Sequence, residues 1–302
     1  MTILRPLFVA VTALFVTLSS AAAVADYKKE FKELRFGITS SENEKDAMVR
    51  YDSFSAYMAQ RLGLPVVVHR GTDYAAVVEA LKARKLEFAT MGPAAYARAV
   101  QVMGKNIIPV ARDMDLDGNV GYHSTIVVRT DSPYRSLADL KGKSLAFADP
   151  NSGSGYMAPN YFLTREGMEP AKFFGRTGFA GNHEQGILAV IQGTYDAAAT
   201  WWNNPVRNNV ARMEEKKMMP PGQVRILWTS PLIPNPPWVA RALPEDLLKA
   251  YADALIAMPE AAPAVWQQLR DGKMLKVVPA KPEDYIDAVR MIEENTKTRK
   301  GS

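Results

Sequence analysis

Between residues 34 and 113 short apolar runs alternate with helical periods, and that alternation admits few folds. "LRFGIT" (34–39) reads as a strand running into Thr-Ser-Ser. "ENEKDAMVRYDSFSAYMAQRLG" sets Met48, Tyr51, Phe54, Tyr57, Met58 and Leu62 at helical spacing and stops at Gly63. "PVVVHRG" is a second strand. "TDYAAVVEALKARK" is a helix capped by Asp73 or Thr72, and "LEFATMG" is a third strand. "PAAYARAVQVMG" is a helix with Pro93 in its first turn and Gly104 at its end, and "NIIPVARD" is a further strand. The order β-α-β-α-β-α-β predicts an open α/β sheet. Such sheets hold ligands at the carboxyl ends of their strands, here "TSSE", "RGTDY" and "TMGP".

A second α/β unit follows. "DGNVGYHSTIVVRTDSP" reads as a strand between turns, and "SLADLKGKSLAFADPNSGSG" as a short helix, a turn, a strand and a loop. "YMAPNYFLTREGM" is helical. Beyond it stand a helix over 184–192, a strand over 195–200 and a helix in "PVRNNVARMEEKKMM". "QVRILWTSPLIPNPPWVAR" reads as a strand and then a Pro-rich loop, and from Leu243 onward the pattern is helical. The joints fall near 121–125 and 228–237. The expected fold is therefore α/β and two-lobed, each lobe an open mixed sheet flanked by helices. Residues 26–122 with 229–302 form lobe 1, and 123–228 form lobe 2. Two crossovers make a hinge, with a ligand cleft between the lobes.

Residues 1–25 read as a cleavable export signal: Arg5, an apolar run from Leu7 to Leu18, and the A-x-A site Ala23-Val24-Ala25. The run is short for a membrane span of roughly 20 residues. The chain has no cysteine, which excludes disulfides, thiolate metal sites and the thioether anchor of a lipoprotein. The expectation is a periplasmic protein, not membrane-embedded after processing. The formal charge of +5 is spread thinly, without the basic stripe of a nucleic-acid binder, and suits weak steering of a small anion.

Catalytic patterns are missing. His69, His123 and His183 form no metal-spaced pair, no G-x-S-x-G elbow occurs, and no P-loop occurs. The stretch "DPNSGSGYMAP" contains Gly153-x-Gly155-x-x-Ala158, but four residues separate it from the strand "SLAFA", and Pro159 interrupts the fingerprint helix. Two readings remain for this loop. Ser154 caps a helix at a Gly153 turn, or Ser152, Gly153 and Ser154 converge on a small oxyanion at a helix N-terminus. Tyr74 and Tyr122 sit at strand-to-loop positions, and His183 precedes a helix. Thr39 and Ser40 end the first strand. Trp201-Trp202-Asn203 end another, and two adjacent tryptophans cannot both face one core.

Taken together, "FGITSSEN", "DYAAVVEAL", "GYHSTIVV", "SPYRSLADLKGK", "DPNSGSGY", "GNHE", "DAAAT" and "LWTSPLIP" resemble the phosphonate-binding proteins of ABC importers, of the type II periplasmic binding-protein fold. The resemblance implies that Ser152, Gly153 and Ser154 hold phosphorus-bound oxygens, with Tyr74, Tyr122 and His183 around them. Relatives usually carry Thr where Gly153 stands, so one hydroxyl is lost. Members that take an aminoethylphosphonate carry two acids where Asn203 and Pro236 stand here, which favours an uncharged or absent ligand tail. A relocated acid (Glu42, Asp115 or Glu184) is the alternative. The resemblance implies a monomeric, non-enzymatic binding protein with no cofactor and no metal. It would capture a phosphonate or phosphite and deliver it to an ABC permease. The rivals are a binding protein that feeds a signalling partner and a secreted phosphoester hydrolase.

Overall fold

The computed structural model describes residues 27–39 and 41–301, with side chains as far as 297. The expected export signal and Ser40 lie outside the described residues. The chain runs α1 (Tyr27–Glu30), β1 (Leu34–Ile38), α2 (Glu44–Leu62), β2 (Val66–Arg70), α3 (Tyr74–Lys82), β3 (Phe88–Thr90), α4 (Pro93–Met103) and β4 (Ile107–Asp115). It continues through β5 (Gly121–Arg129), β6 (Ser144–Phe147), α5 (Ala158–Arg165), α6 (Pro170–Phe173), β7 (Arg176–Phe179), α7 (His183–Ile191), β8 (Ala197–Asn204), β9 (Arg207–Asn208) and α8 (Asn209–Glu215). It closes with β10 (Val224–Thr229), β11 (Ile233–Pro234), β12 (Pro237–Arg241), α9 (Glu245–Ala261), α10 (Pro263–Arg270), β13 (Met274–Pro279) and α11 (Ile286–Gly301).

Two mixed sheets result, ordered β13-β4-β12-β3-β1-β2 and β10-β5-β8-β6-β7, with β11 on β5 and β9 on β8. In the first, β1 runs parallel to β2 and β3, while β12 and β13 pair antiparallel. The chain leaves the first sheet after Asp115 and re-enters it at Pro237. The expected joints at 122/123 and 228/229 therefore fall inside β5 and β10, a few residues from the passages themselves.

Two strands correct the sequence reading. The Pro-rich segment yields β12, a central strand between β4 and β3. Pro237 is tolerated because it stands first in the strand. The segment read as helical after Leu243 contains β13, an edge strand on β4 with Leu275 and Lys276 exposed. Near α2 the expected stripe is buried at Tyr51, Phe54, Tyr57, Met58 and Leu62, but Met48 is exposed, one step off the face centred on Phe54 and Met58. Asn43 caps this helix by accepting from the Asp46 N–H, and Gly63 ends it at φ 66°.

The core beneath the first sheet centres on Trp238 of β12, fully buried against Phe36 and Phe54 at centroid distances of 5.8 and 5.4 Å. Its indole N–H donates to Asp113 Oδ1 (2.8 Å), and Arg270 lies over its ring. The last helix joins the two halves. α11 packs on α4 and α5, and the Asn295 amide donates to the Met157 carbonyl (3.0 Å).

Candidate functional site

A cavity of about 150 Å³ lies between the two sheets. Its walls come from strand ends (Ile38, Thr39, Thr90, Met91, Asp113, Trp201, Asn203) and from helix starts (Gly92, Tyr74, His183, and the 152–154 loop). α3 begins at Tyr74, α4 at Pro93 and α7 at His183, so three helices of two or more turns each aim unpaired N–H groups and a partial positive charge at one place.

The 152–154 loop enters its helix through a π-turn over Gly153–Met157, closed by Met157 N–H to the Ser152 carbonyl (2.9 Å). Ser152, not Ser154, is the cap: its Oγ accepts from the Gly155 N–H (3.0 Å) and lies 3.2 Å from His183 Nε2. The Ser154 carbonyl is tied to the Ser124 hydroxyl (2.6 Å). Its own hydroxyl meets Tyr122, as Ser152's meets Tyr74. Burial pushes the Tyr122 hydroxyl up to about 12, against its bonds to Ser154. Burial, reinforced by Asp149, raises Tyr74 as well. Both phenols are thus neutral donors. Burial, with Arg212 beside it, pushes His183 down to about 3, against a bond to the Ala199 backbone. At neutral pH the imidazole is uncharged.

Gly153 is constrained by its neighbours. A β-carbon there would stand 2.6 Å from Pro93 Cγ and 3.0 Å from the Tyr122 hydroxyl. The hydroxyl expected to be lost at this position has no room, because Pro93 from the other half of the chain fills it. Restoring it should therefore harm. Overpacking costs about 1–3 kcal/mol, so Gly153→Thr is expected to weaken oxyanion binding roughly ten- to hundredfold by calorimetry. Tighter binding by this variant would show that the extra hydroxyl outweighs the crowding.

The far side of the cavity is charged. Arg50 pairs with Glu42 (3.1 Å) and Asp271 (2.9 Å), Arg212 with Asp271 (3.3 Å) and Glu42 (3.7 Å), and Arg270 with Asp113 (2.7 Å). Burial opposes the charge on Glu42, but Arg212, Arg50 and Lys216 outweigh it and hold the carboxyl below its usual range. Lys216, which follows the last turn of α8, also joins Asp46 of α2 and Glu184 of α7, both at 2.8 Å, and the Asn43 N–H donates to Glu184 (3.0 Å). This network clasps the two halves together. Arg207 differs in having no carboxylate in ion-pair reach among the described residues; its guanidinium lies 5.5 Å from the centroid of the Trp201 ring, with that of Arg212 at 4.9 Å. Burial, with Arg212 and Arg270 nearby, pushes Arg207 down to about 9.

Of the residues singled out from the sequence, Tyr74, Tyr122, Ser152, Gly153, Ser154, His183, Asn203, Thr39 and Trp201 line this one cavity. Trp202 does not. β8 continues past the expected end at 200 to Asn204, and adjacent residues of a strand face opposite sides. Of the relocated acids, Glu42 lines the cavity but is fully paired, Glu184 is held by Lys216 and Asn43, and Asp115 bonds the Asp117 and Asn119 N–H groups away from it. The arginines escaped the sequence reading. The sequence pattern sets Arg207 in a helix, whereas α8 starts only after the Asn208 cap and Arg207 belongs to β9, beside the Trp201 ring.

A family model described as "ABC transporter, phosphonate, periplasmic substrate-binding protein" matches residues 36–285. The phosphonates-binding periplasmic protein of Escherichia coli (strain K12) is 32% identical over 239 residues, 77% of this chain and 67% of that protein. A binding-protein component of an ABC phosphonate transporter from Pseudomonas aeruginosa shares 26% identity with a TM-score of 0.76, covering 88% of this chain and 87% of its own. A Prochlorococcus marinus (MIT 9301) protein solved with methylphosphonate gives the same TM-score at 22% identity, over 88% of this chain and 99% of its own, a likeness of fold.

Proposed function

The chain belongs to the periplasmic phosphonate-binding proteins of ABC transporters, which bind substrate and are not enzymes, and we propose that it captures a phosphonate-type oxyanion between its two halves and presents it to an ABC permease. One observation carries this reading. Two buried neutral tyrosines, two serine hydroxyls and a neutral histidine converge where α3, α4 and α7 begin. Such a cradle gives an anion many neutral donors. The methylphosphonate bound by the Prochlorococcus protein is of the class this cradle suits.

In this reading the two halves act as lobes that swing about the passages at 116–120 and 235–236. The ligand is enclosed when Lys216 and Arg212 meet Glu42, Asp46 and Asp271. Residues 1–25 serve as the export signal, and the absence of cysteine leaves the mature protein without a lipid anchor.

Calorimetry and thermal melts of the mature chain against methylphosphonate, phosphite, phosphate and sulfate test the proposal. A phosphonate or phosphite should raise the stability by about 2.7 kcal/mol at 100-fold excess over its Kd, with sulfate inert. No response to any phosphorus oxyanion overturns the reading.

A further inference from the structure

Beyond the cradle the cavity turns cationic. Arg50, Arg207, Arg212 and Arg270 line it against Glu42 and Asp113. Three of these arginines have carboxylate partners at 2.7–3.3 Å. Arg207 has none among the described residues. Its backbone N–H is satisfied by Asn204 (2.8 Å), but its Nε is buried without an acceptor, and its guanidinium lies near the Trp201 ring.

We propose that Arg207 receives a carboxylate on the ligand's tail, so that the protein's ligands are short phosphonocarboxylates. This rests on the phosphonate reading of the cradle. A desolvated cation without a counter-ion is costly, and the ligand is the natural source of that counter-ion. Arg207 is the one cavity arginine with no carboxylate in ion-pair reach among the described residues, and a single guanidinium matches a single carboxylate. A guanidinium fork takes both oxygens of a carboxylate. The Asn203 and Asn235 side chains line the same region, with the Asn235 amide donating to the Asp113 carbonyl (2.9 Å). An ammonium tail would be repelled by Arg207, and the nearby acids are already paired. The neutral tail expected from Asn203 and Pro236 is thus replaced by an anionic one.

The test is calorimetry of the mature chain with phosphonoacetate and phosphonopropionate, against ethylphosphonate and propylphosphonate of the same reach and against aminoethylphosphonate. One of the carboxylates should bind roughly ten- to hundredfold tighter than its alkyl counterpart. Arg207→Gln should collapse that ratio to within about threefold, and Arg207→Lys should keep part of it. Melting curves of the variants check their fold, and if Arg207→Gln does not fold, the wild-type ratios decide alone. Equal binding of carboxylate and alkyl tails, a preference for the amine, or a ratio that survives in Arg207→Gln overturns the inference. Methylphosphonate binding without any carboxylate gain would sink this inference and leave the cradle standing. Failure of every phosphonate would sink both.

Discussion

Ser152→Ala with Ser154→Ala should abolish most oxyanion affinity while leaving the protein folded. A hydrogen bond to a charged group contributes about 1.5–3 kcal/mol. Losing two therefore removes roughly 3–6 kcal/mol, or about 10²- to 10⁴-fold in Kd. The two serines are separable. Ser152 also caps the π-turn through the Gly155 N–H, so its removal should lower the melting temperature slightly, by the cost of about 1 kcal/mol for a lost cap. Ser154 has no capping role, and its hydroxyl meets Tyr122. Ser154→Ala alone should thus cost about tenfold or more in affinity, with the melting temperature lowered only by the loss of its bond to Tyr122, about 0.5–1.5 kcal/mol. Normal binding by the single variant would reduce the loop to a helix start.

The second large effect is on stability. Trp238→Ala should destabilise the protein by about 3–5 kcal/mol in denaturant unfolding. With a melting shift of about 2–4 °C per kcal/mol for a chain of this order, the melting temperature should fall by roughly 6–20 °C. Trp238 is fully buried between Phe36 and Phe54, carries Arg270 on its face and bonds Asp113. The same change therefore loosens the floor of the cavity. Trp238→Phe keeps most of the apolar contact but leaves Asp113 Oδ1 without the indole donor, at about 1–3 kcal/mol. A loss below about 1 kcal/mol in the alanine variant would contradict the packing described here.

What was legible in the sequence follows from physics that acts locally. The first helices announced themselves through apolar spacing and through Asp73, Pro93 and Gly63, whose capping and turning roles depend on few neighbours. The proposed cradle entered through the family resemblance, because serines and a glycine at a strand-to-helix junction serve equally well as a helix cap, a role Ser152 does fill. β12 and β13 were not, since both are strands through distant partners: Trp238 pairs with Thr90 and Ala111, and Val277 with Asp113. The arginines were hidden for the same reason. Arg50, Arg212 and Arg270 lie on helices, where a charged residue ordinarily faces water. Only their convergence from α2, α8 and α10 on Glu42, Asp113 and Asp271 makes them a cavity wall. Gly153 shows the two levels together. Its lost hydroxyl was visible in the sequence, but the cause, Pro93 at 2.6 Å from a β-carbon, needed the fold.

A crystal structure of the mature chain with methylphosphonate tests the central claim most directly. The account requires the phosphorus-bound oxygens within hydrogen-bond reach of Ser152, Ser154, Tyr74 and Tyr122, at the starts of α3, α4 and α7. Phosphonate density elsewhere, or at the arginines with the serines and tyrosines unengaged, would contradict it.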